Sequence, residues 1–258
     1  MMAVIVIPAR YASTRFPGKP LTALRGATGD ARALIRRAWD AAMAVPGVDG
    51  VWVATDDDRI ASAAHGFGAQ VVMTPESCRN GTERVAAAVA TLGLSDRVVV
   101  NLQGDAPLTP PWFVTALIDA MRAPDGPAVA TPVLRCTPDA LAMLREDRRN
   151  GRVGGTTAVL GAQGRALYFS KEVLPFGDGP VFHHVGVYAY TPQALATYGA
   201  LPPGALEARE GLEQLRFLEH GHPVACVEVA DRGRAFWEVN TPEDVARVES
   251  VLQAEGIA

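Results

Sequence analysis

The sequence predicts an α/β fold: a mostly parallel sheet flanked by helices, with a smaller antiparallel β extension. Two observations carry this. Apolar runs of strand length alternate with helical stretches through the amino-terminal half, the pattern of βαβ units with helices on both faces of a sheet. After about residue 128 the runs shorten and Gly-rich turns separate them. The 258 residues, 48% of them apolar, suit a single domain over 1–258, with about 128–200 as the β-rich extension.

The elements come in this order. "MMAVIVIPAR" reads as a fully buried strand that breaks at Pro8, followed by a Gly/Pro loop through Gly18 and Pro20. A helix is expected from about Asp30, a candidate N-cap, to Val45. "VDGVWVATDD" is a second strand ending in an acidic turn, "DRIASAAHGFG" a short helix closed by glycine, and "AQVVMT" a third strand. "GTERVAAAVATLG" is a helix, and "DRVVVNLQGD" a fourth strand whose apolar run ends in polar residues. "AVATPVL", "GGTTAVLG", "RALYFS" and "VFHHVGVYAYT" are the shorter β stretches of the extension. "ALEAREGLEQLRFLEHG" returns to helix, with Leu206, Leu212, Leu215 and Leu218 largely at helical spacing. "PVACVEVA" is a strand, and "TPEDVARVESVLQAEG" a helix with Thr241 as N-cap and Pro242 at its first position. Glu243 and Asp244 then suit the positive end of that helix's dipole.

Composition narrows the function classes. A net charge of −4 argues against general nucleic-acid binding, which favours a basic face, while leaving room for a local phosphate pocket. The run Val4 to Ile7 is only a strand's length, so neither a signal peptide nor a membrane span is expected. Cys78, Cys136 and Cys226 lie far apart, with neither metal spacing nor a disulfide pattern. The cytoplasm is the expected location.

Four constellations carry chemistry. "PARYASTRFPGKPL", residues 8–21, comes directly after the first strand, where open α/β sheets place ligand loops. Its small residues Ser13, Thr14 and Gly18 let backbone N–H groups approach a polyphosphate, and Arg10, Arg15 and Lys19 supply positive charge. Lys19 is a mobile point charge suited to a phosphate gaining charge in a transition state. The alternative is a solvated loop with chance basic residues; neither a Walker A spacing nor a dinucleotide fingerprint is present. "NLQGDAP", residues 101–107, brings Gln103 and Asp105 to a strand's carboxyl end, where Asp is a hard oxygen ligand for Mg²⁺, or simply part of a turn. "NGTER", residues 80–84, opens a helix, a good place for a polar ligand or merely a cap, with Thr82 as N-cap and Arg84 solvated. "EVNTPED", residues 238–244, joins a strand end to a helix; Glu238 and Asn240 share a side if the strand is regular.

Taken together these blocks resemble the 3-deoxy-manno-octulosonate (Kdo) cytidylyltransferase family. "PARYASTRFPGKPL", "VATDD", "NGTERVA", "VVNLQGD", "ALYFSK", "HHVGVYAY", "LEQLRFLEHG" and "NTPEDVARV" occur in the family's order over nearly the whole chain. The resemblance implies a Rossmann-like, glycosyltransferase-A-like nucleotide-binding sheet, CTP and a 3-deoxy sugar acid as substrates, Mg²⁺ as cofactor, and a homodimer paired through the β-rich extension, which also binds sugar. It implies a phosphate grip of Arg10, Ser13, Arg15 and Lys19. Ala9 would approach the cytosine, Gly81 and Thr82 the base or ribose, and Gln103 both substrates. Asp105 would be the principal metal ligand. His184, Tyr188, Glu210 and Gln214 would join Gln103 in contacting the sugar acid. Tyr188 and His184 can also be read as half-buried strand residues, and Glu210 and Gln214 as a solvated helix face.

Two positions depart from the family. Asp105-Ala106-Pro107 stands for Asp-Glu-Pro, and Asn240 stands where "VDTPED" supplies a second metal carboxylate. Either Glu238 provides the missing carboxylate or Asn240 serves through water. The departure also admits two other readings: CMP transfer to a related acid, such as amino-Kdo or a sialic-type nonulosonate, or a CTP-binding homologue with weakened catalysis.

Overall fold

The computed structural model describes residues 2–13, 16–153 and 155–258. Strands β1 (Ala3–Ala9), β4 (Gly50–Thr55), β5 (Gln70–Met73) and β6 (Val98–Leu102) form a parallel core in the order β5-β4-β1-β6. All seven residues of β1 are buried, which its unbroken apolar run requires. Its side chains alternate between two cores. Ala3, Ile5 and Ile7 pack with α1 (Leu34–Met43), α2 (Asp58–Gly66) and α4 (Pro111–Arg122). Val4 and Val6 pack with α3 (Gly81–Leu92), α6 (Pro192–Ala200) and α8 (Leu215–Glu219). Each such valine or isoleucine contributes about 1.5–3 kcal/mol by leaving water.

The β-rich stretch extends this same sheet. Strand β11 (Val187–Tyr190) runs antiparallel beside β6, then come β7 (Val129–Arg135), β10 (Phe182–His184), β8 (Thr156–Leu160) and β9 (Ala166–Ser170). Strand β12 (Ala225–Glu228) pairs with β7 in parallel. β10 and β11 are two halves of one run beside β7, interrupted at Val185 and Gly186. The Thr131 hydroxyl sits under this interruption, donating to the carbonyls of Val185 (3.1 Å) or Val187 (2.8 Å). On its other side the first half pairs with β8 and the second with β6, so the sheet parts here and a crevice opens. Helix α5 (Pro138–Arg149) lies in the β-rich half, and α9 (Asp244–Ala254) packs Val248 and Leu252 against Leu24 and Leu34.

Several expectations are corrected. β1 does not stop at Pro8, which pairs with Ala54; the β1–β6 pairing has already ended at Val6, so no bond to β6 is lost to the missing N–H. Asp30 caps no helix. Residues 23–33 form the hairpin of β2 (Ala23–Arg25) and β3 (Ala31–Ala33), and α1 starts at Leu34. The N-cap of α3 is Asn80, whose side chain accepts from the Glu83 N–H, rather than Thr82. The expected helix over 205–221 is two short ones, α7 (Ala205–Glu210) and α8, broken at Gly211 with φ of 63°. Helix α9 begins at Asp244 rather than Pro242, because the Asp244 carboxylate accepts from the N–H groups of Asn240 and Thr241 and folds them into a turn. Helices α4, α5 and α6 lie in stretches for which no helix is expected from the sequence; each nonetheless opens on a proline, at Pro111, Pro138 and Pro192.

Candidate active site

A cavity of about 820 Å³ lies at the carboxyl ends of β1 and β6, where the sheet parts. This is where open α/β sheets bind ligands. The loop after β1 lines it with Ala9, Arg10, Ser13 and Lys19. That loop is closed by the Gly18 N–H donating to the Tyr11 carbonyl (3.0 Å), with the Arg59 guanidinium 3.3 Å from the centre of the Tyr11 ring. Closure delivers Lys19 to the end of β6, where its Nζ meets Asp105 Oδ2 at 2.5 Å and donates to the Val239 carbonyl at 3.0 Å. The Val239 N–H donates in turn to the Asp105 carbonyl (2.9 Å), so the segment before α9 is stitched to the loop after β6.

That stitching brings in a second carboxylate. Glu238 lines the cavity beside Asp105 and Lys19. Burial and the neighbouring Asp105 push its carboxyl up to about 7, against the pull of Lys19 and of hydrogen bonds from Asn240 and the Gly186 N–H. A Cβ on Gly186 would lie 2.6 Å from Glu238 Oε1, so any larger residue there would make this carboxylate shift. Among the described residues no cluster of three His, Cys, Asp or Glu side chains could by itself hold a metal ion.

The opposite wall is built from buried neutral groups. His184, 6% exposed, shares a 3.0 Å hydrogen bond with Thr131 Oγ1, and its imidazole is pushed down to about 3 by burial, with His183 adding to the effect. Tyr188, 3% exposed, stacks on Tyr190, and burial raises its hydroxyl well above the ordinary value. Gln103 Nε2 donates to Glu213 Oε1 (3.2 Å), and the Thr82 N–H at the start of α3 donates to Glu213 Oε2 (3.0 Å). Burial raises the Glu213 carboxyl, while these Thr82 bonds oppose the shift. Gln214 is 3% exposed, and its Nε2 finds no partner among the described residues.

A family model described as Cytidylyltransferase matches residues 4–228. The chain belongs to the cytidylyltransferase family. It is 46% identical, over 99% of each chain, to the 3-deoxy-manno-octulosonate cytidylyltransferase of Maricaulis maris. It is 40% identical to the 8-amino-3,8-dideoxy-manno-octulosonate cytidylyltransferase of Shewanella piezotolerans, over 99% of this chain and all of the relative. Among solved structures it superposes on a CMP:2-keto-3-deoxy-manno-octonic acid synthetase complexed with CTP, with a TM-score of 0.85 and 34% identity over 99% of this chain and 100% of that one. An inositol-1-phosphate CTP transferase from T. maritima shares the fold, at a TM-score of 0.66 and 14% identity over 100% of this chain and 98% of that one.

In this cytidylyltransferase the cavity wall contains Ala9, Arg10, Ser13, Lys19, Gly81, Gln103, Asp105, His184, Tyr188, Gln214 and Glu238. Arg15 lies outside the described residues. Three other expected site residues do not line the cavity. The Thr82 hydroxyl is buried against Tyr190 OH (3.1 Å), leaving its N–H as the group that faces Glu213. Glu210 is held by the end of β9, accepting from Ser170 Oγ (2.8 Å) and the Lys171 N–H (2.9 Å). Asn240 turns its N–H to Asp244 and its side chain to Glu238. Arg84 is not solvated; it is buried and paired with Asp56 at 2.7 Å.

Glu213 is one cavity group that sequence reasoning missed. A continuous helix puts Glu210 and Gln214 on one face. The left-handed turn at Gly211 ends α7, and the link to α8 brings Glu213 and Gln214 to the cavity while Glu210 faces β9. The glycine inside an otherwise helical pattern was the available signal. Buried Arg216 then locks the pair of helices to α3, bonding Glu207 at 2.6 Å and Glu83 at 2.9 Å.

Proposed function

We propose that this cytidylyltransferase transfers the CMP part of CTP to Kdo, giving CMP-Kdo and pyrophosphate. The observation that carries the reading is the meeting of Lys19 and Asp105, 86 residues apart, between a cationic loop and a wall of neutral hydrogen-bonding groups. The cationic loop suits a triphosphate. His184, Tyr188, Gln103 and Gln214 suit a polyhydroxy acid, because neutral imidazole, phenol and amides can donate to and accept from hydroxyls. The relatives at 46% and 34% identity carry Kdo in their names.

The anomeric oxygen of the sugar acid attacks the α-phosphorus in line, the bond to the β-phosphate oxygen breaks, and pyrophosphate leaves with that oxygen. The protein's part is positioning and charge neutralisation. Lys19 neutralises charge that grows on the α-phosphate, and Arg10 and Ser13 lie on the same loop for the outer phosphates. Gln103 and Glu213 bridge from the end of β6 to the start of α3, between the two substrates. Mg²⁺ would suit the oxygen donors Asp105 and Glu238, both in the cavity wall; when bound it would supply neutralisation of the polyphosphate and acidification of the attacking hydroxyl. The enzyme would act in the cytoplasm as a homodimer and feed lipopolysaccharide or capsule assembly. Its three unpaired cysteines suit a reducing compartment. No described helix is long and apolar enough to cross a membrane.

A coupled pyrophosphate-release assay with CTP tests the reading, using Kdo, its 8-amino analogue and a sialic-type nonulosonate, with and without Mg²⁺. Kdo is expected to give the highest kcat/KM. Preference for the amino analogue moves the assignment to the acid named for the 40%-identical relative. A CTP-dependent rise in Tm with no pyrophosphate from any acid leaves only a binding protein.

A further inference from the structure

The apolar run of β6 is broken by a buried amide. Val98, Val99, Val100 and Leu102 keep one pattern, and Asn101 sits among them, 0% exposed. Neither its Oδ1 nor its Nδ2 has a hydrogen-bond partner among the described residues. A buried amide without partners costs stability, and an apolar side chain of similar size does not. A breach of the core pattern of this kind is expected where function requires it.

Its surroundings show what it serves. Asn101 stands opposite Tyr188 on β11 and beside Val6 on β1, and both of those side chains face the core packed on α3. Asn101 therefore faces α3 as well. Gln103, two residues along, also turns toward the start of α3, where a Cβ on Gly81 would lie 3.0 Å from its amide. Close to Asn101 is the Tyr190 hydroxyl. Burial and the Glu213 carboxylate raise that phenol well above its ordinary value, while Thr82 and Asn101 oppose the shift. The Tyr190 hydroxyl bonds Thr82 Oγ1 at 3.1 Å, and the Thr82 N–H holds Glu213 Oε2 at 3.0 Å. A line of polar groups thus runs from the middle of the sheet through Tyr190 and Thr82 to Glu213 in the cavity wall.

We propose that Asn101 is a positioning residue for the acid-binding wall: its buried amide anchors the Tyr190 hydroxyl, which fixes Thr82 and through it the Glu213 carboxylate. The amide closes on the hydroxyl by a small turn of its side chain or across one water. In either case Nδ2 donates and the phenol oxygen accepts, leaving the phenol proton for Thr82. Thr82 and Glu213 belong to separate elements, the first turn of α3 and the link before α8, and a hydroxyl held from the sheet sets where they meet. This rests on the reading of the cavity as the site of CMP transfer to a sugar acid; parent turnover, measured first, checks that reading separately.

The test compares Asn101→Leu, Tyr190→Phe and the double variant by Tm and by steady-state pyrophosphate release. Asn101→Leu is expected to raise the KM for the acid about 3–10-fold, the worth of one neutral hydrogen bond, with the KM for CTP within twofold of the parent's. Its Tm is expected to equal the parent's or exceed it by about 2–4 °C, because an orphaned amide leaves the core. Tyr190→Phe is expected to reproduce the rise in KM, and the double variant to be no worse than the poorer single one, since both cut the same line. An acid KM less than twofold above the parent's in Asn101→Leu overturns the proposal. So does a Tm several degrees below the parent's, or failure to fold, which would make the amide a structural bond. A rise in the double variant equal to the product of the two single rises overturns the route through Tyr190.

Discussion

On one side of the cavity, Arg10 and Lys19 hang from a loop after β1 and keep their charges within reach of water. On the other, His184 and Tyr188 sit inside strands β10 and β11, nearly sealed from solvent and held neutral by burial. In the proposed reading the first wall meets charge, and Lys19, now held by Asp105 and the Val239 carbonyl, can be drawn to a phosphate as its charge grows. The second would meet hydroxyl groups, which need donors and acceptors fixed in direction, and fixed direction comes from strands. The two walls meet along Gln103, Glu213 and the start of α3.

The comparison can be broken at its strongest point first. Lys19→Ala is expected to lower kcat by ~10²–10³, the usual loss on deleting one donor to developing charge, as read by pyrophosphate release. Near-parent turnover would show that the cationic wall only binds. Next, Glu213→Gln keeps shape and removes charge. The KM for the sugar acid is expected to rise about 10–100-fold, the worth of a charged hydrogen bond, with CTP affinity held. Loss of CTP affinity instead would assign Glu213 to the nucleotide wall.

Smaller effects sharpen the picture of the neutral wall. Gly211→Ala forces a side chain into the left-handed region at a cost of ~1–2 kcal/mol, and Tm should drop by several degrees. An unchanged Tm would mean that the break between α7 and α8 is not what turns Glu213 inward. Finally, the neutrality of His184 has a pH signature. The unfolded chain takes up a proton near the ordinary value of 6.5, whereas the folded imidazole resists until about 3. Stability from this group is therefore complete above 6.5 and falls as pH drops through that window, by up to ~1.4 kcal/mol per unit. His184→Gln should flatten the acid limb of Tm against pH; an unaltered limb would mean that the folded imidazole titrates normally.

Much of this was legible in the residues themselves. The buried apolar run of β1, the glycine-closed helix α2 and the polar end of β6 are local signals, and the parallel core arises around β1 and β6, which bury both faces. The convergence of Lys19 and Asp105 was readable for the same reason: a parallel strand delivers the loop at its carboxyl end to one known edge of the sheet. The early helix expected at Asp30 shows the limit, since the β2–β3 hairpin that replaces its first turn depends on pairing across a turn rather than on helical period.

The sequence alone determined the alternating core, the family motifs and the chemistry of the amino-terminal loop, since each is written in neighbouring residues. The tertiary structure alone decided which acids reach the cavity. Glu213 reaches the cavity just past the point where Gly211 breaks a helix, and Glu238 Oε1 occupies space that a Cβ on Gly186, 52 positions away, would crowd. Contacts between distant segments are set by packing and by where the sheet parts, and no local periodicity encodes them.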